Sequence, residues 1–341
     1  MAESVFVAGR LRLARDLRSW SQVELAQRAG LTPPTLSQFE AGMTRPVPAA
    51  RDRLAAALGV PAGFFELPLL DTHDGFFRSL RRTSVADRRR ARAMAHIAHD
   101  LAGSAAIAGE LPAVNVPHLT SALVADDAEQ SEAIAREVRR LWGVHAGPIS
   151  NATELLESHG VVVIRLPLAT NDVDAFSLPF RDRPIVVLGA DKNDRARSRF
   201  DVAHELGHLV VHGEQVWGLP AVERQASQFA AAFLMPRDEI IDELPARANW
   251  PVLFSLKRKW QVSLAALLMR ARTLRRMSEA DYLTAIKAAS ARGWRRIEPV
   301  PLGAPEQPRL LARALHLLNE QESDLALPES VLASLAAALA A

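Results

Sequence analysis

The stretch AHELGH, residues 203–208, limits what this chain can fold into more than any other segment. His204 and His208 stand four residues apart, which on a helix puts both rings on one face with Cβ atoms about 5–6 Å apart. Two imidazoles at that separation can reach one metal ion at about 2.0–2.1 Å. Glu205 points about 100° away around the helix, where it can take a proton from water without ligating the ion. Ala203, Leu206, Val210 and Val211 make the surroundings apolar. Two buried imidazoles without partners would be costly there, whereas a metal satisfies both. The small Gly207 leaves room beside the ligands. A third protein ligand is required, so another element must fold back on this helix. His212 continues the four-residue series but lies about 12 Å along the helix from His204. It is read as a residue behind the ligands or at the helix terminus. Glu223 is the better third ligand. It lies near the start of VERQASQFAAAFLMP (222–236), a helix with a proline stop, and a loop holding Trp217, Gly218 and Pro220 lets that helix double back.

The segments before the motif supply a context for it. VVVIRL (161–166), DVDAFSL (172–178) and RPIVVLG (183–189) are β-branched runs between turn formers and predict three strands of a small sheet. A helix is expected from about Asp194 to Gly213. DDAEQSEAIAREVRRLWGV (126–144) is amphipathic, with Ile134, Val138 and Leu141 on one side, and NATELLESHG is a further helix stopped by Gly160. A strand such as 172–178 could hold an extended peptide by edge pairing. The expected fold class is mainly α with a small β-sheet, an α+β arrangement.

The N-terminal part carries a different signature. Leu11, Ala14 and Leu17 form one helical stripe. SQVELAQRAG follows, with Ser21 as N-cap, Glu24 completing a capping box and Gly30 as the stop. In LTPPTLSQFEAG, Thr32 caps, Pro33 takes the first helical position, Leu36 and Phe39 face inward and Gly42 terminates. Two short helices joined by a tight turn make a helix-turn-helix unit. Residues 1–92 hold fifteen Arg and no Lys against nine Asp and Glu, an excess of six. That imbalance suits a polyanion or, equally, a solvated helix face. A small helical bundle serving only dimerisation is the competing reading of the same pattern.

The remainder sets bounds. With no cysteine in 341 residues there is no disulfide, thiol nucleophile or Cys-ligated metal. No apolar run long enough to span a membrane and no secretory signal stand out, so a cytoplasmic location with no membrane partner is expected. Residues 69–115 read as a basic helical connector, with His96 and His99 on its solvated surface. Residues 254–274 have a helix-turn-helix shape, for which packing beside the motif helices is preferred to DNA contact. Residues 278–341 are helical around a proline-broken stretch, and no function is read in them.

Two resemblances follow from these residues. SQVELAQRAGLTPPTLSQFEAG with the trailing LAAALGVP resembles the XRE (lambda repressor-like) family. It implies a five-helix domain over 1–68 whose third helix lies in the major groove of double-stranded DNA. Thr32, Thr35, Ser37 and Gln38 are then groove-facing, Gln22 lies near a phosphate, and Arg10, Arg18, Arg45 and Arg51 reach phosphates. The recognition helix holds no Arg or Lys, so base readout rests on hydroxyls, Gln38 and apolar contact. RFDVAHELGHLVVH followed by ERQASQFAAAFLMP resembles the ImmA/IrrE family of zincin metallopeptidases. It implies a domain over 116–245, with His204, His208 and Glu223 holding Zn2+ (or Mn2+ or another divalent metal) and Glu205 as general base. Ser227 stands where that family often has Asn, which bears on the orientation of a ligand. Residues 246–341 form a helical C-terminal region. In related systems the peptidase is a separate protein that cuts a helix-turn-helix repressor, whereas both parts share this chain. Three readings stay open: a homodimeric operator-binding regulator that cuts a partner repressor or itself on a signal, a regulator whose zincin fold only senses, and an antitoxin-like or phage-related binding protein.

Overall fold

Three short strands organise the molecule because neither face of their sheet meets water. The computed structural model describes residues 5–70, 84–107, 111–119, 128–167, 175–191, 193–212 and 219–320. In it β1 (Val162–Leu166) pairs in parallel with β3 (Ile185–Gly189), and β2 (Ala175–Leu178) pairs antiparallel with β3, giving the order β1-β3-β2. The strand sequences VVIRL, AFSL and IVVLG are apolar almost throughout, as sheets covered on both faces require. Side chains alternate between two cores. Val162, Ile164, Phe176, Leu178, Ile185 and Val187 enter one, and Val163, Ala175, Val186 and Leu188 enter the other.

The first core joins the N-terminal unit to the sheet. Helices α1 (Ala8–Leu17), α2 (Gln22–Arg28), α3 (Pro33–Glu40) and α4 (Pro48–Leu58) are closed by a 3-10 turn at Ala62–Glu66, which makes the fifth helical piece. The capping box forms as the sequence requires, with Glu24 N donating to Ser21 Oγ at 3.2 Å and Ser21 N to Glu24 Oε2 at 2.7 Å. Gly30 takes φ +62° between α2 and α3, a left-handed conformation that favours glycine. Thr32 caps α3 and Pro33 opens it. The stripe residues Leu11, Ala14, Leu17, Leu36 and Phe39 are all buried.

Helix α5 (Val85–Ile107) lies between this unit and the sheet. Arg10, 1% exposed, pairs with Asp100 of α5 (Nη2 to Oδ1 2.9 Å) and donates from Nε to Leu67 O at 3.2 Å. Two expectations fail here for one reason. Arg10 does not reach outward toward phosphate, and His96 and His99 are not solvated, because α5 is a packed element rather than an exposed connector. His99 stacks on Phe180 at 4.0 Å between ring centroids and bonds Asp182 at 2.9 Å, while His96 meets the Phe180 edge-on. Burial, with Arg92, Arg10 and His99 nearby, lowers His96 to a pKa of about 3.

The second core holds α6 (Ala128–Leu141), α7 (Ala152–Ser158), α8 (Arg195–Gly207), α9 (Pro220–Leu234), α10 (Arg237–Ile240), α11 (Trp250–Trp260), α12 (Leu264–Thr273) and α13 (Glu279–Ala291). The segment 254–274 becomes α11 and α12, which pack here. Its Lys257 and Lys259 pair with Glu298 and Glu243, and Arg270 donates to Met235 O just after α9. The proline-broken stretch beyond α13 straps the two cores together. Glu306 caps α7 through Ala152 N at 2.9 Å and Thr153 N at 3.0 Å and pairs with Arg199. No described helix is long and apolar enough to cross a membrane.

Helix α14 (Leu310–Glu320) rests on α5, and its first turn is held by Glu157, which accepts from Arg309 N at 3.0 Å and Leu310 N at 2.9 Å. Burial outweighs these bonds and pushes Glu157 up to about 7. The folded chain thus holds a proton that an unfolded carboxyl loses near its ordinary value of 4.5. The associated stability is fully present below that value and is lost as pH rises through about 7. Urea unfolding at a series of pH values should show Glu157→Gln flattening this decline, an effect of about 1–3 kcal/mol. An unchanged profile would mean that Glu157 titrates normally.

Candidate metal centre

Helix α8 starts where Asp194 accepts a hydrogen bond from Arg197 N at 2.9 Å, and it ends in one π-helical turn over His208–His212. Helix α9 returns antiparallel in the sense the third ligand demands, bringing Glu223 of its first turn to the two histidines. His204 Nε2 lies 3.1 Å from His208 Nε2 and 3.5 Å from Glu223 Oε2, and His208 Nε2 lies 3.9 Å from that oxygen. Tetrahedral coordination with bonds of about 2.0–2.2 Å separates ligand atoms by about 3.3–3.6 Å. The donor set therefore fits a single divalent ion, and both rings point the same nitrogen into it.

The other ring nitrogens are engaged from behind. His204 Nδ1 faces Ser227 Oγ at 3.3 Å. His208 Nδ1 lies 3.1 Å from His212 Nδ1, and His212 Nε2 lies 3.0 Å from Gln225 Oε1. One set of proton positions satisfies this row: His208 Nδ1–H donates to His212, and His212 Nε2–H donates to Gln225. It leaves a lone pair on His208 Nε2 for a metal. The π turn, a form common at functional sites, sets His212 beside the ligand ring rather than at the ion.

Glu205 is 3% exposed and its Oε2 accepts from Ser177 Oγ of β2 at 2.7 Å. Burial pushes Glu205 up to about 7 against the opposing pull of His204 and Ser177. Burial likewise drives His208 well below the usual histidine range, helped by His204 and His212, so its ring is neutral. Burial alone would lower His204 too, but Glu223 and Glu205 outweigh it and hold its pKa above the ordinary value.

The structure brings together His204, His208 and Glu223, the three donors the sequence pointed to, with Glu205 beside them, whereas Ser177 and Gln225 were missed. Both were detectable in principle. Ser177 is the polar residue at an inward-facing register of β2, and Gln225 is the polar residue on the buried stripe of α9 with Val222 and Phe229. Trp217 and Gly218 of the connecting loop lie outside the described residues. Tyr282 sits on α13 with the Arg272 guanidinium 5.0 Å from its ring.

On the N-terminal unit, Thr32, Ser37 and Gln38 are exposed along α3, and Thr35 is half-buried with its hydroxyl 2.8 Å from that of Thr32. Gln22 bonds Glu40 at 2.9 Å, at the start of α2. Arg45 is exposed, whereas Arg18 donates to Leu58 O at 2.6 Å and Arg51 to Glu66 at 2.6 Å.

Gly207 lets α8 pack closely against α9. A Cβ there would stand 3.0 Å from Phe229 Cδ1 and 3.2 Å from Ala226 Cα and O. Gly207→Ala should therefore push α9 outward and take Glu223 with it. The expected result is a loss of about 1–3 kcal/mol in denaturant unfolding together with weaker metal binding. Unaltered metal affinity would show that the helix spacing does not set the donor geometry.

Comparison with known families agrees with this division of the chain. Residues 11–65 match the family model described as Helix-turn-helix, and residues 156–272 match that described as IrrE N-terminal-like domain. No curated protein matches the chain. With α3 on one side of the sheet and the three-donor centre on the other, this chain joins a segment similar to XRE-type helix-turn-helix domains to a segment similar to ImmA/IrrE domains.

Proposed function

We propose that this protein is a DNA-binding transcriptional regulator whose second unit is a zinc-dependent endopeptidase, cutting a regulatory protein in response to a signal. The target is a helix-turn-helix repressor or the chain itself. The observation that carries this reading is Glu205: a buried carboxylate adjoining the three-donor set yet outside it, which a purely structural metal site does not need.

His204, His208 and Glu223 would hold the ion, which when bound supplies an acidified water and a Lewis acid for the scissile carbonyl. Ser177 fixes one oxygen of Glu205 and leaves the other for the attacking water. Glu205 takes that water's proton and returns it to the leaving amine. Burial pushes this carboxyl up, in the direction that proton exchange near neutral pH requires, and a bound cation would pull against that shift. Ser227, His212 and Gln225 keep the ring nitrogens of the ligands directed inward. On the other side of the sheet, Thr32, Thr35, Ser37 and Gln38 would face the major groove, with Gln22 and Arg45 at phosphates. Pairing of two chains on a two-fold operator is the usual arrangement for such readers.

The purified protein should carry about one zinc per chain, lost in His204→Ala and in Glu223→Ala. Glu205→Gln should keep the metal and lower cleavage of a proteome-derived peptide pool by about 10²–10⁴-fold. Metal retained in Glu223→Ala would remove the third ligand, and cleavage undiminished in Glu205→Gln would remove the base.

His212→Ala and Gln225→Ala are expected to weaken zinc by about 10–100-fold in competition with a chelator. Wild-type affinity in both would reduce their row to packing.

A further inference from the structure

A groove of about 960 Å³ opens beside Glu223 and follows α9 away from the metal centre. Its floor is the α9 stripe Glu223, Ser227 and Ala231, at successive four-residue steps, facing Ala265, Ala266 and Met269 of α12. Eight residues of helix cover about 12 Å, the length of three or four residues of extended chain at about 3.3 Å each. The small alanines leave room for side chains, and Met269, 43% exposed, offers an apolar contact beside the Arg272 guanidinium, whose Nη1 lies 3.8 Å from its sulfur.

The charges in the walls are distributed unevenly. Glu132 pairs with Arg270, and Asp194 caps α8. Glu298 pairs with Lys257 and accepts from Leu264 N, the first amide of α12, at 2.9 Å. Asp201 interacts with Arg165 and His204, and Glu223 belongs to the donor set. Among the basic residues of the lining, Arg197 and Arg224 have partners and Arg272 pairs with Glu279, while Arg295 and Arg296 are exposed and neither has an ion pair among the described residues. A segment lying in this groove would thus meet Glu223 of the donor set, the apolar side of α12 and two guanidinium groups without an ion pair.

We propose that this groove binds the substrate polypeptide on one side of the cut bond. It selects a segment with an apolar side chain against Met269 and Phe200 and an acidic side chain at Arg295 and Arg296. The proposal rests on the endopeptidase reading for the meaning of the cut bond, but the recognition it describes is a binding event with its own readout. Guanidinium groups pair readily with carboxylates, so a charge swap is the direct probe.

The test uses full-length Glu205→Gln protein loaded with zinc and two fluorescein-labelled peptides. Both have an alternating Ala and Leu core, one flanked at each end by Glu-Glu and the other by Gln-Gln. Anisotropy should show the Glu peptide binding about tenfold more tightly. Adding Arg295→Glu and Arg296→Glu should abolish that preference, with zinc content and Gln-peptide affinity unchanged. Equal binding of the two peptides, no binding of either, or a preference that survives the charge swap would overturn the proposal. So would a charge swap that weakens only binding of a mixed-sequence DNA duplex, since the two arginines would then serve nucleic acid. Wild-type cleavage of the same peptides is scored separately. Selective binding without cleavage removes the endopeptidase reading and leaves the groove, whereas cleavage indifferent to charge removes the groove alone.

Discussion

The burial of both faces of a three-stranded sheet is the constraint from which the other arrangements follow. Sheets this small cannot fold alone and must be covered, and here the two covers are different units. Because side chains alternate along each strand, every strand position is assigned to one cover or the other. On β2 that alternation sends Phe176 and Leu178 toward α5 and the N-terminal helices, and Ala175 and Ser177 toward α8. Moving β2 by one residue would exchange these sets, placing a phenylalanine where Glu205 needs a hydroxyl. The register of the antiparallel pair, Ser177 opposite Val186, is therefore as much a part of the metal centre as the histidines.

The side chains of the candidate centre are held from behind. Buried imidazoles and carboxylates are expensive unless each polar atom has a partner. The chain meets that cost by giving the outward nitrogen of each ligand ring a fixed neighbour, Ser227 for His204 and the His212–Gln225 pair for His208. What remains unsatisfied converges on one point. Held this way, the ligands lose little freedom on binding an ion, and the same burial that keeps His208 neutral raises Glu205 to about 7. One environment thus prepares a ligand in its metal-binding form and a carboxyl in its proton-exchanging range.

Much of this was legible from spacing alone, and the rest was hidden for identifiable reasons. His204, His208 and Glu205 follow from a four-residue step, and Glu223 follows from a helix that must double back. The caps at Ser21 and Thr32 fixed the ends of α2 and α3 because capping is local chemistry. The burial of α5 was hard to see because its inward face mixes Met94, Ile97 and Leu101 with Ala91, Ala95, Ala98, Ala102 and Ala105. Alanine blurs an apolar stripe, so the arginines around it dominated the pattern and His96 and His99 looked solvated. The π turn was equally hidden. Nothing in LVVH distinguishes five residues per hydrogen-bonded ring from four, and only packing against α9 decides it.

The fate of the arginines shows why net composition is a poor guide to a nucleic-acid surface. The N-terminal excess of positive charge suggested a broad electrostatic footprint. Yet Arg10 is turned inward to Asp100, Arg15 to Glu40, and Arg51 to Glu66, while Arg18 is tied to the end of α4. Each of these bonds fastens one helix of the unit to another or to α5. Charges spent in this way orient α3 instead of attracting phosphate. An α3 surface of hydroxyls and one glutamine has little electrostatic pull of its own, and on the proposed reading it would discriminate through hydrogen bonds of fixed direction. For such a surface, rigidity counts for more than charge, because a hydroxyl displaced by an ångström loses its bond whereas a distant cation loses little. The inward arginines and the long helix that packs behind them supply that rigidity, and the sheet beneath ties it to the unit that holds the metal centre.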